Sequence, residues 1–417
     1  MKKIFKKILF INILAIFTFV GITNVFAASG YSFSVGTDYG TNNINTNPDT
    51  QYVHNKLSSM GYSSYRVTIP TFNAMRSKIN TSRYRMESDM LFFAGHANST
   101  TMYWNYLGKG GSYAQAIQNV DYGYCDVPQT YEFHGIGQYN LSYVDFAFFA
   151  GCETAKGTSN ITKYANTKGA KASLGWKVSV NDYDAYIWTQ RFYNRLAGGY
   201  TISQSITYAN SFSDYYTTTP KQTQYYGNSG QVLNSIGNEM YNVNESIDMH
   251  LGKKYDYDLI ANKNKDIQIT NKLNLINKDF DSNDYIKEIT TNNDSTIYDY
   301  RFTINGIKTN IGYTVIMEDG KNNINIIDNT SGYNLESLKA KKILNLKKLE
   351  SNIKTREIKE KALKVAASNY SDESRDIINE YEFYDVKEDK LYYVVEVKVT
   401  DPIFNTSSVM LHREEIK

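Results

Sequence analysis

The chain reads DFAFFAGCETAKG over residues 145–157, an apolar run that stops at a single cysteine. Residues 146–151 are all apolar or small and have polar neighbours, which is typical of a fully buried strand in a parallel sheet. Cys152 follows that strand. In open α/β sheets, ligands bind in the crevice beyond the carboxyl ends of the strands. Cys152 is therefore a candidate nucleophile.

A second apolar run ends in the same way. Residues 90–98 read MLFFAGHAN, so His96 stands at the tip of a predicted strand. Two such strands side by side would bring the thiol of Cys152 and the imidazole of His96 to one edge of the sheet. A positioned imidazole can take the proton of a thiol and so produce the nucleophilic thiolate.

Each of these two residues also has a structural alternative. Cys152 could be a buried inert thiol, or one half of a Cys125–Cys152 disulfide. His96 could be a histidine that only satisfies the end of a strand. His134 is the rival histidine because it stands in a His-Gly dipeptide, but no apolar strand precedes it.

The first residues predict export. The 417-residue chain has four lysines among its first seven residues, continues with an apolar segment over residues 8–20 and reaches the small residue Ala27. This is the pattern of a cleaved secretory signal peptide over residues 1–27, with an uncleaved membrane anchor as the alternative. No later run is long and apolar enough to cross a membrane. We therefore expect a secreted, extracellular protein.

Charge and cysteine content exclude several functional classes. The formal net charge is +2, and without the basic start the chain is close to neutral, so nothing indicates nucleic-acid binding. Two cysteines are too few for a disulfide-stapled scaffold. The five histidines are scattered without metal-ligand spacing, and no nucleotide fingerprint is present. We predict neither a metal nor an organic cofactor.

The first half of the chain alternates strands with helices. The periodicity predicts strands over residues 31–35, 64–69, 90–95, 146–151 and 172–180, and helices over 49–60, 72–79, 161–167, 182–197 and 201–209, with Asp182 as a helix cap. Such alternation implies parallel βαβ units and a mostly parallel sheet between layers of helices.

A long insertion interrupts this pattern over residues 98–143. Its mixture of glycines and aromatics predicts hairpins and loops that wall a cleft. Asp121 and Asp126 lie in this stretch and could supply charge to a substrate pocket, although most such acids face water. Trp176 could line the same pocket, but a core position is the favoured interpretation.

The second half has a different character. Short apolar segments flank Asn305-Gly306, which is a hairpin signal. A helix over residues 356–367 precedes an alternating strand over 391–399. These features predict an α+β domain over residues 255–417, without any cluster that suggests catalysis.

Three motifs in order resemble the caspase–hemoglobinase fold of cysteine peptidases, most closely its CHAT branch. That branch has a motif similar to Ala-Cys-Glu-Thr-Ala, which stands here as Ala150-Gly151-Cys152-Glu153-Thr154-Ala155. GAKASLGWKV over residues 169–178 and RFYNRL over 191–196 are similar to the strand and helix that follow it. The resemblance covers about residues 31–215.

The resemblance implies a three-layer α/β/α caspase-like sandwich over residues 29–245 and an endopeptidase with a Cys152–His96 dyad acting on protein or peptide substrates. Backbone N–H groups of Cys152 and Ala97 would face the oxyanion. Glu153, which follows the nucleophile, could orient the loop or touch substrate, and a solvated carboxylate is an equal alternative. Two departures matter. His-Ala replaces the usual His-Gly, and Ala150 stands where arginine-specific members carry an acid, so specificity for basic residues is not supported.

Residues 255–417 weakly resemble PepSY-type modules that accompany secreted peptidases. Such a domain would inhibit the peptidase, assist its folding, or bind a cell-wall component or substrate. A second hypothesis for the whole chain is a catalytically inactive secreted binding protein that retains the caspase-like fold. Rapid alkylation of Cys152 would count against that second hypothesis.

Overall fold

A computed structural model describes residues 30–38, 44–68, 72–108, 111–122, 124–125, 131–233, 253–261, 263–293, 295–341, 351–367, 374–400 and 406–416. Over these ranges, the protein is a mixed α/β structure with two sheets. The predicted signal peptide and Asp126 lie outside the described residues.

The strands of the described residues are β1 Gly30–Val35, β2 Tyr62–Val67, β3 Met90–Ala94, β4 His96–Ala97, β5 Thr101–Gly108, β6 Gly111–Gln118, β7 Tyr124–Cys125, β8 Tyr131–Gly135, β9 Phe146–Ala150, β10 Ala172–Trp176, β11 Thr223–Gly227, β12 Lys253–Asp258, β13 Tyr285–Thr291, β14 Ser295–Ile304, β15 Ile307–Glu318, β16 Asn323–Asp328, β17 Ser374–Asp385, β18 Lys390–Thr400 and β19 Ser407–Glu415. The helices are α1 Asn47–Ser59, α2 Phe72–Met75, α3 Ile161–Thr167, α4 Asp182–Ala197, α5 Ile202–Asn210, α6 Lys265–Ile276, α7 Leu335–Lys339 and α8 Ser351–Ala367.

The first sheet has the strand order β2-β1-β3-β9-β10-β11. Strands β1, β2, β3, β9 and β10 are parallel to one another, and only β11 among these six is antiparallel to its neighbour. The apolar runs of β3 and β9 are therefore central strands, as the sequence predicts. The predicted strand over residues 172–180 is shorter in the structure and ends at Trp176.

Both faces of the first sheet are covered. Because successive side chains of a strand point to opposite faces, Phe92 joins a core with helices α1, α4 and α5 while Phe93 joins a second core with α3. Phe148 of β9 lies centrally in the first core, with its ring 5.2 Å from that of Trp176 and 5.9 Å from that of Trp188. This aromatic packing fixes the position of β9 and of the residues that follow it.

The second sheet combines distant parts of the chain. Its main path runs β12-β16-β15-β17-β18-β19-β4-β5-β6-β8-β7, and most of its strand pairs are antiparallel. The prediction of a mostly parallel sheet is therefore not confirmed for the protein as a whole. The structure differs because the insertion after His96 and the C-terminal strands pair with each other, which their local patterns do not reveal.

A buried ion pair also links the two sheets. Lys221 precedes β11 of the first sheet, and its Nζ lies 2.6 Å from Oδ1 of Asp299 in β14 of the second sheet. Both side chains are almost completely buried, and Thr314 donates a further hydrogen bond to Asp299 over 2.8 Å. Whether residues 29–245 and 255–417 are separate domains stays a prediction.

Candidate active site at the ends of β3 and β9

Strands β3 and β9 are hydrogen-bonded neighbours and end at the same edge of the first sheet. Their last register partners are Ala94 and Ala150, and the N–H of Gly95 donates to the carbonyl of Ala150 over 3.3 Å. His96 and Cys152 each follow two residues beyond these partners. The sequence predicted this convergence of the two strand ends at one edge.

Gly151 permits the close approach of the two strand ends. A Cβ atom at this position would lie 2.5 Å from the Cβ of Ala97 and 2.8 Å from the carbonyl oxygen of Gly95. Any side chain would therefore push the residue before the thiol away from the strand that carries His96. The small residue in the Gly-Cys step is a steric requirement of the site.

The turn after Cys152 holds a strained backbone. Glu153 has a φ of 61°, the left-handed region that non-glycine residues seldom adopt. Its N–H donates to the carbonyl of Val178 over 3.1 Å, and the buried hydroxyl of Thr154 donates to the carbonyl of Phe149 over 2.7 Å. These bonds fix the turn and so the direction of the Cys152 side chain.

Cys152 is a buried, protonated thiol. It is free of any disulfide, which rules out the Cys125–Cys152 bridge in this structure. Only 3 % of the residue is exposed, and Sγ donates to the carbonyl of Val180 over 3.6 Å. Burial raises the pKa of the thiol to about 11, so the thiolate is a minor species at neutral pH.

His96 is a buried, neutral imidazole. The chain leaves the first sheet at Gly95, and His96 enters β4 of the second sheet, where it is paired with Tyr103 of β5. Only 2 % of the residue is exposed, and burial lowers the pKa of its ring to about 3. The neighbouring Ala97 is paired with Ser407 of β19, so the C-terminal strand lies directly beside this segment.

Cys152 lines a cavity of about 320 Å³ at this edge, and His96 is not among its lining residues. The floor is formed by the ends of β3 and β9, including Ala150 and Gly151. One wall carries Asp49 of α1 and Asp182 of α4. Asp49 is half-buried, and burial raises the pKa of its carboxyl to about 8. The opposite wall belongs to β19, which contributes Ser408, Val409, Leu411 and Arg413.

Two residues proposed for the substrate pocket lie elsewhere. Asp121 is exposed, accepts a hydrogen bond from the hydroxyl of Tyr164 over 2.6 Å and is ion-paired with Lys168, which holds the pKa of its carboxyl low. Trp176 is fully buried in the first core, and its indole N–H donates to the carbonyl of Pro220 over 2.8 Å. Neither residue lines the cavity beside Cys152.

The rival histidine is also removed from this cavity. His134 lies in β8, is fully buried and has Nδ1 3.1 Å from the hydroxyl of Tyr139. It does not contribute to the cavity lining. A Cβ atom on the neighbouring Gly135 would lie 2.6 Å from the backbone of Tyr122, so close packing accounts for the glycine that follows His134.

The sequence did not predict the wall that β19 forms, and it assigned Asp182 the wrong position in its helix. The helix cap is Asn181, whose side chain accepts from the N–H of Asp184, whereas Asp182 stands in the first turn and faces the cavity. Asp49 likewise stands in the first turn of a helix that follows a strand end. Helices begin at the carboxyl edge of a parallel sheet, so that position was an available signal. Nothing in the local pattern of β19 predicts its place here.

None of the described helices is both long and apolar enough to span a lipid bilayer. Within the same residues, no group of three or more His, Cys, Asp or Glu side chains is arranged to hold a metal ion.

Comparison with known proteins gives little. No family model matches the chain, and no curated protein is significantly similar to it. Among solved structures, it is similar to a complex of the pro- and mature domains of RgpB from Porphyromonas gingivalis, with 9 % identity and a TM-score of 0.31. That match spans 95 % of this chain and 71 % of the other. A likeness this low defines neither a family nor a function.

Proposed function

We propose that the protein is a secreted cysteine endopeptidase of caspase-like, three-layer α/β/α fold, in which Cys152 is the nucleophile and His96 its proton-transfer partner. One observation carries the proposal. The parallel register of β3 and β9 brings a Gly-His end and a Gly-Cys end to one edge of the sheet, and Cys152 lines a cavity there. Backbone strain at Glu153, directly after the thiol, supports a functional role for this turn.

The reaction balances with these two side chains and water. The thiol proton of Cys152 passes to the imidazole of His96, and the thiolate attacks the scissile carbonyl carbon. The imidazolium protonates the departing amine, which leaves an acyl thioester on Cys152. Water then attacks the thioester carbonyl, the carboxylic acid departs, and the proton returns to sulfur. Backbone N–H groups of Cys152 and Ala97 are the proposed donors to the oxyanion.

The second candidate is a binding protein that keeps the fold without the reaction. It is favoured by the burial of the same two side chains, because burial raises the pKa of the thiol and lowers the pKa of the imidazole, and both shifts oppose proton transfer from sulfur to the ring. Under this alternative, the cavity beside Cys152 binds a ligand without cleaving it. The two candidates differ in whether any state of the protein hydrolyses peptide bonds through Cys152.

The test compares hydrolysis of denatured casein and of a peptide library by the wild type, Cys152→Ser and His96→Gln, before and after limited proteolysis. We expect Cys152→Ser to lose about 10⁴-fold or more of the activity. We expect His96→Gln to lose about 10²–10⁴-fold, the usual contribution of a general acid–base.

Matched controls are Cys125→Ser and His54→Gln, which make the same replacements outside the site and should leave hydrolysis essentially unchanged. Hydrolysis that persists in Cys152→Ser would contradict the proposal. Absence of any Cys152-dependent cleavage in every preparation would favour the binding protein.

A further inference from the structure

The last strand of the protein lies across the candidate active site. In the second sheet β19 is inserted between β18 and β4, with Ser407 paired to Ala97 beside His96. Two residues further on, Val409 forms a parallel bridge with Asn181. The N–H of Leu411 donates to Oδ1 of Asp182 over 3.3 Å. The strand therefore contacts the backbone on both sides of the catalytic edge.

This strand also covers the thiol. Ser408, Val409, Leu411 and Arg413 form the wall of the cavity that Cys152 lines. Val409 is only 2 % exposed, so its side chain is packed into the site and not against solvent. A substrate carbonyl must come within about 3–3.5 Å of the attacking sulfur. An incoming chain segment would have to pass where β19 now lies.

The mode of contact is one that proteins use for peptides. An extended segment that adds a strand to an exposed sheet edge gains affinity from main-chain hydrogen bonds and specificity from alternate side chains. β4 would be such an edge without β19, because β5 pairs with only one of its two sides. The Asn181 segment offers a second, parallel partner on the far side of Cys152. The groove between them fits an extended peptide.

We propose that β19 occupies the substrate groove of this protein as an internal pseudosubstrate, so that the structure is a latent form and an extended peptide substrate pairs with Ala97 and Asn181 in its place. The proposal rests on the function proposed above and adds its regulation and its mode of substrate binding. Release of β19 is then the activating step, and no bond of the chain needs to be cleaved for it.

The attachment of β19 suits such a role. It is paired with β18 along its whole length, from Ser407 to Glu415, but with β4 only at Ser407. The strand can therefore leave the groove while it remains part of the hairpin with β18. This movement also uncovers β4, the segment that carries His96.

The protonation states agree with latency. Burial is the first cause both of the raised thiol pKa of Cys152 and of the lowered imidazole pKa of His96. Water that enters after the release of β19 lowers the pKa of the thiol and raises the pKa of the imidazole, and both changes favour proton transfer from sulfur to the ring.

The experiment measures the alkylation rate of Cys152 by iodoacetamide in the full-length protein, resolved by peptide mass spectrometry. Val409→Asp places a carboxylate at a position that is only 2 % exposed in the wall of the cavity, where burying a charge is costly, and Val409→Pro removes an N–H from the strand that covers the thiol. Because burial raises the thiol pKa from 9.0 to about 11, we expect both variants to accelerate alkylation by up to about 100-fold. Glu415→Pro is the matched control at the far end of the same strand and should react like the wild type.

Unfolding is distinguished from release by circular dichroism and urea denaturation. An unfolded variant loses the native spectrum and the cooperative urea transition, whereas a variant with β19 released keeps both and alkylates Cys152 faster. A synthetic peptide with the sequence of residues 406–411, TSSVML, should then protect Cys152 in Val409→Pro by refilling the groove.

The outcomes separate the two proposals. Faster alkylation of Cys152 without hydrolysis supports the covering role of β19 and rejects the peptidase function. If the wild type hydrolyses substrate as fast as the Val409 variants and all proteins are alkylated at equal rates, the covering role of β19 is rejected and the peptidase function is retained. Failure of TSSVML to protect the released thiol rejects the groove as the site of pairing.

Discussion

The two sheets are built in opposite ways, and the candidate active site lies where they meet. The first sheet is formed by parallel strands with buried apolar runs, and helices cover both of its faces. The second sheet is mostly antiparallel and joins β4–β8 to strands up to the C-terminus. Cys152 stays at the edge of the first sheet, whereas His96 passes into the second after a single glycine. The first sheet thus carries the proposed nucleophile Cys152, whereas the second carries His96 and the strand β19 that lines the cavity beside the thiol.

The largest expected effect concerns the buried ion pair between the sheets. Lys221→Met leaves the carboxylate of Asp299 buried without its cation, which typically costs about 3–5 kcal/mol of unfolding free energy. The double variant Lys221→Met/Asp299→Asn removes both charges and keeps an acceptor for the Thr314 hydroxyl. We expect it to recover most of the loss in urea denaturation.

A surface pair provides the control. Lys254 and Asp256 are more than half exposed, and their nitrogen–oxygen distance is 3.4 Å. Exposed pairs contribute about 0–1 kcal/mol, so Lys254→Met should cost less than about 1 kcal/mol. If Lys221→Met lowers the free energy of unfolding by as little as Lys254→Met does, the buried ion pair does not couple the two sheets, and the meeting of the sheets at the site is not stabilised by this pair.

The first sheet was largely predictable because its information is local. The apolar runs over residues 90–95 and 146–151 are strands that neighbour each other, and helix α3 spans the predicted residues 161–167. The hairpin signal Asn305-Gly306 is also confirmed, since both residues have positive φ and connect β14 to β15. In each case, a few consecutive residues determine the conformation.

The second sheet and half of the site were not predictable in this way. Pairing of β19 with β4 joins Ser407 to Ala97 across 310 positions, and no periodicity records that choice. Sequence reasoning therefore found the thiol and the imidazole but not the wall that covers them. It offered pocket roles for Asp121 and Trp176 as alternatives, but Asp121 is exposed and paired with Lys168. Trp176 lies in the aromatic core, the position that the sequence favoured for it.

The next effect tests His96 at the junction of the sheets. Its folded pKa of about 3 lies below the ordinary value of 6.5, so the unfolded state binds a proton first as the pH falls. The contribution of neutral His96 to the free energy of unfolding is therefore fully present above about pH 6.5 and is lost progressively as the pH falls toward about 3. Relative to His96→Gln, which cannot bind this proton, the wild type should lose about 2 kcal/mol between about pH 7 and about pH 5, as measured by urea denaturation.

His412 in β19 is the matched histidine. It is half-buried, and the nearby Glu414 opposes the lowering of its pKa, so His412→Gln should change the pH dependence less. Parallel pH profiles for the wild type and His96→Gln would mean that His96 is already open to water in solution. The described burial of the site, and with it the contrast between the two sheets, would then be wrong.

The smallest effect separates strain that serves a site from strain that serves a turn. Glu153 follows the thiol with a φ of 61°, and Asp389 has a φ of 56° in the hairpin between β17 and β18. The left-handed conformation costs a non-glycine residue about 1–2 kcal/mol, and a glycine at that position relieves this cost. Glycine also makes the unfolded chain more flexible, which destabilises the folded state by about 0.5–1 kcal/mol and offsets part of the gain. Glu153→Gly and Asp389→Gly should therefore each stabilise the protein by about 0.5 kcal/mol in thermal or urea unfolding, less any ion-pair energy lost with Lys156 or Lys341.

Only Glu153→Gly loosens the turn that directs Cys152, so only this variant should lower Cys152-dependent hydrolysis. Equal activity of the two variants would show that the conformation of Glu153 contributes to packing alone.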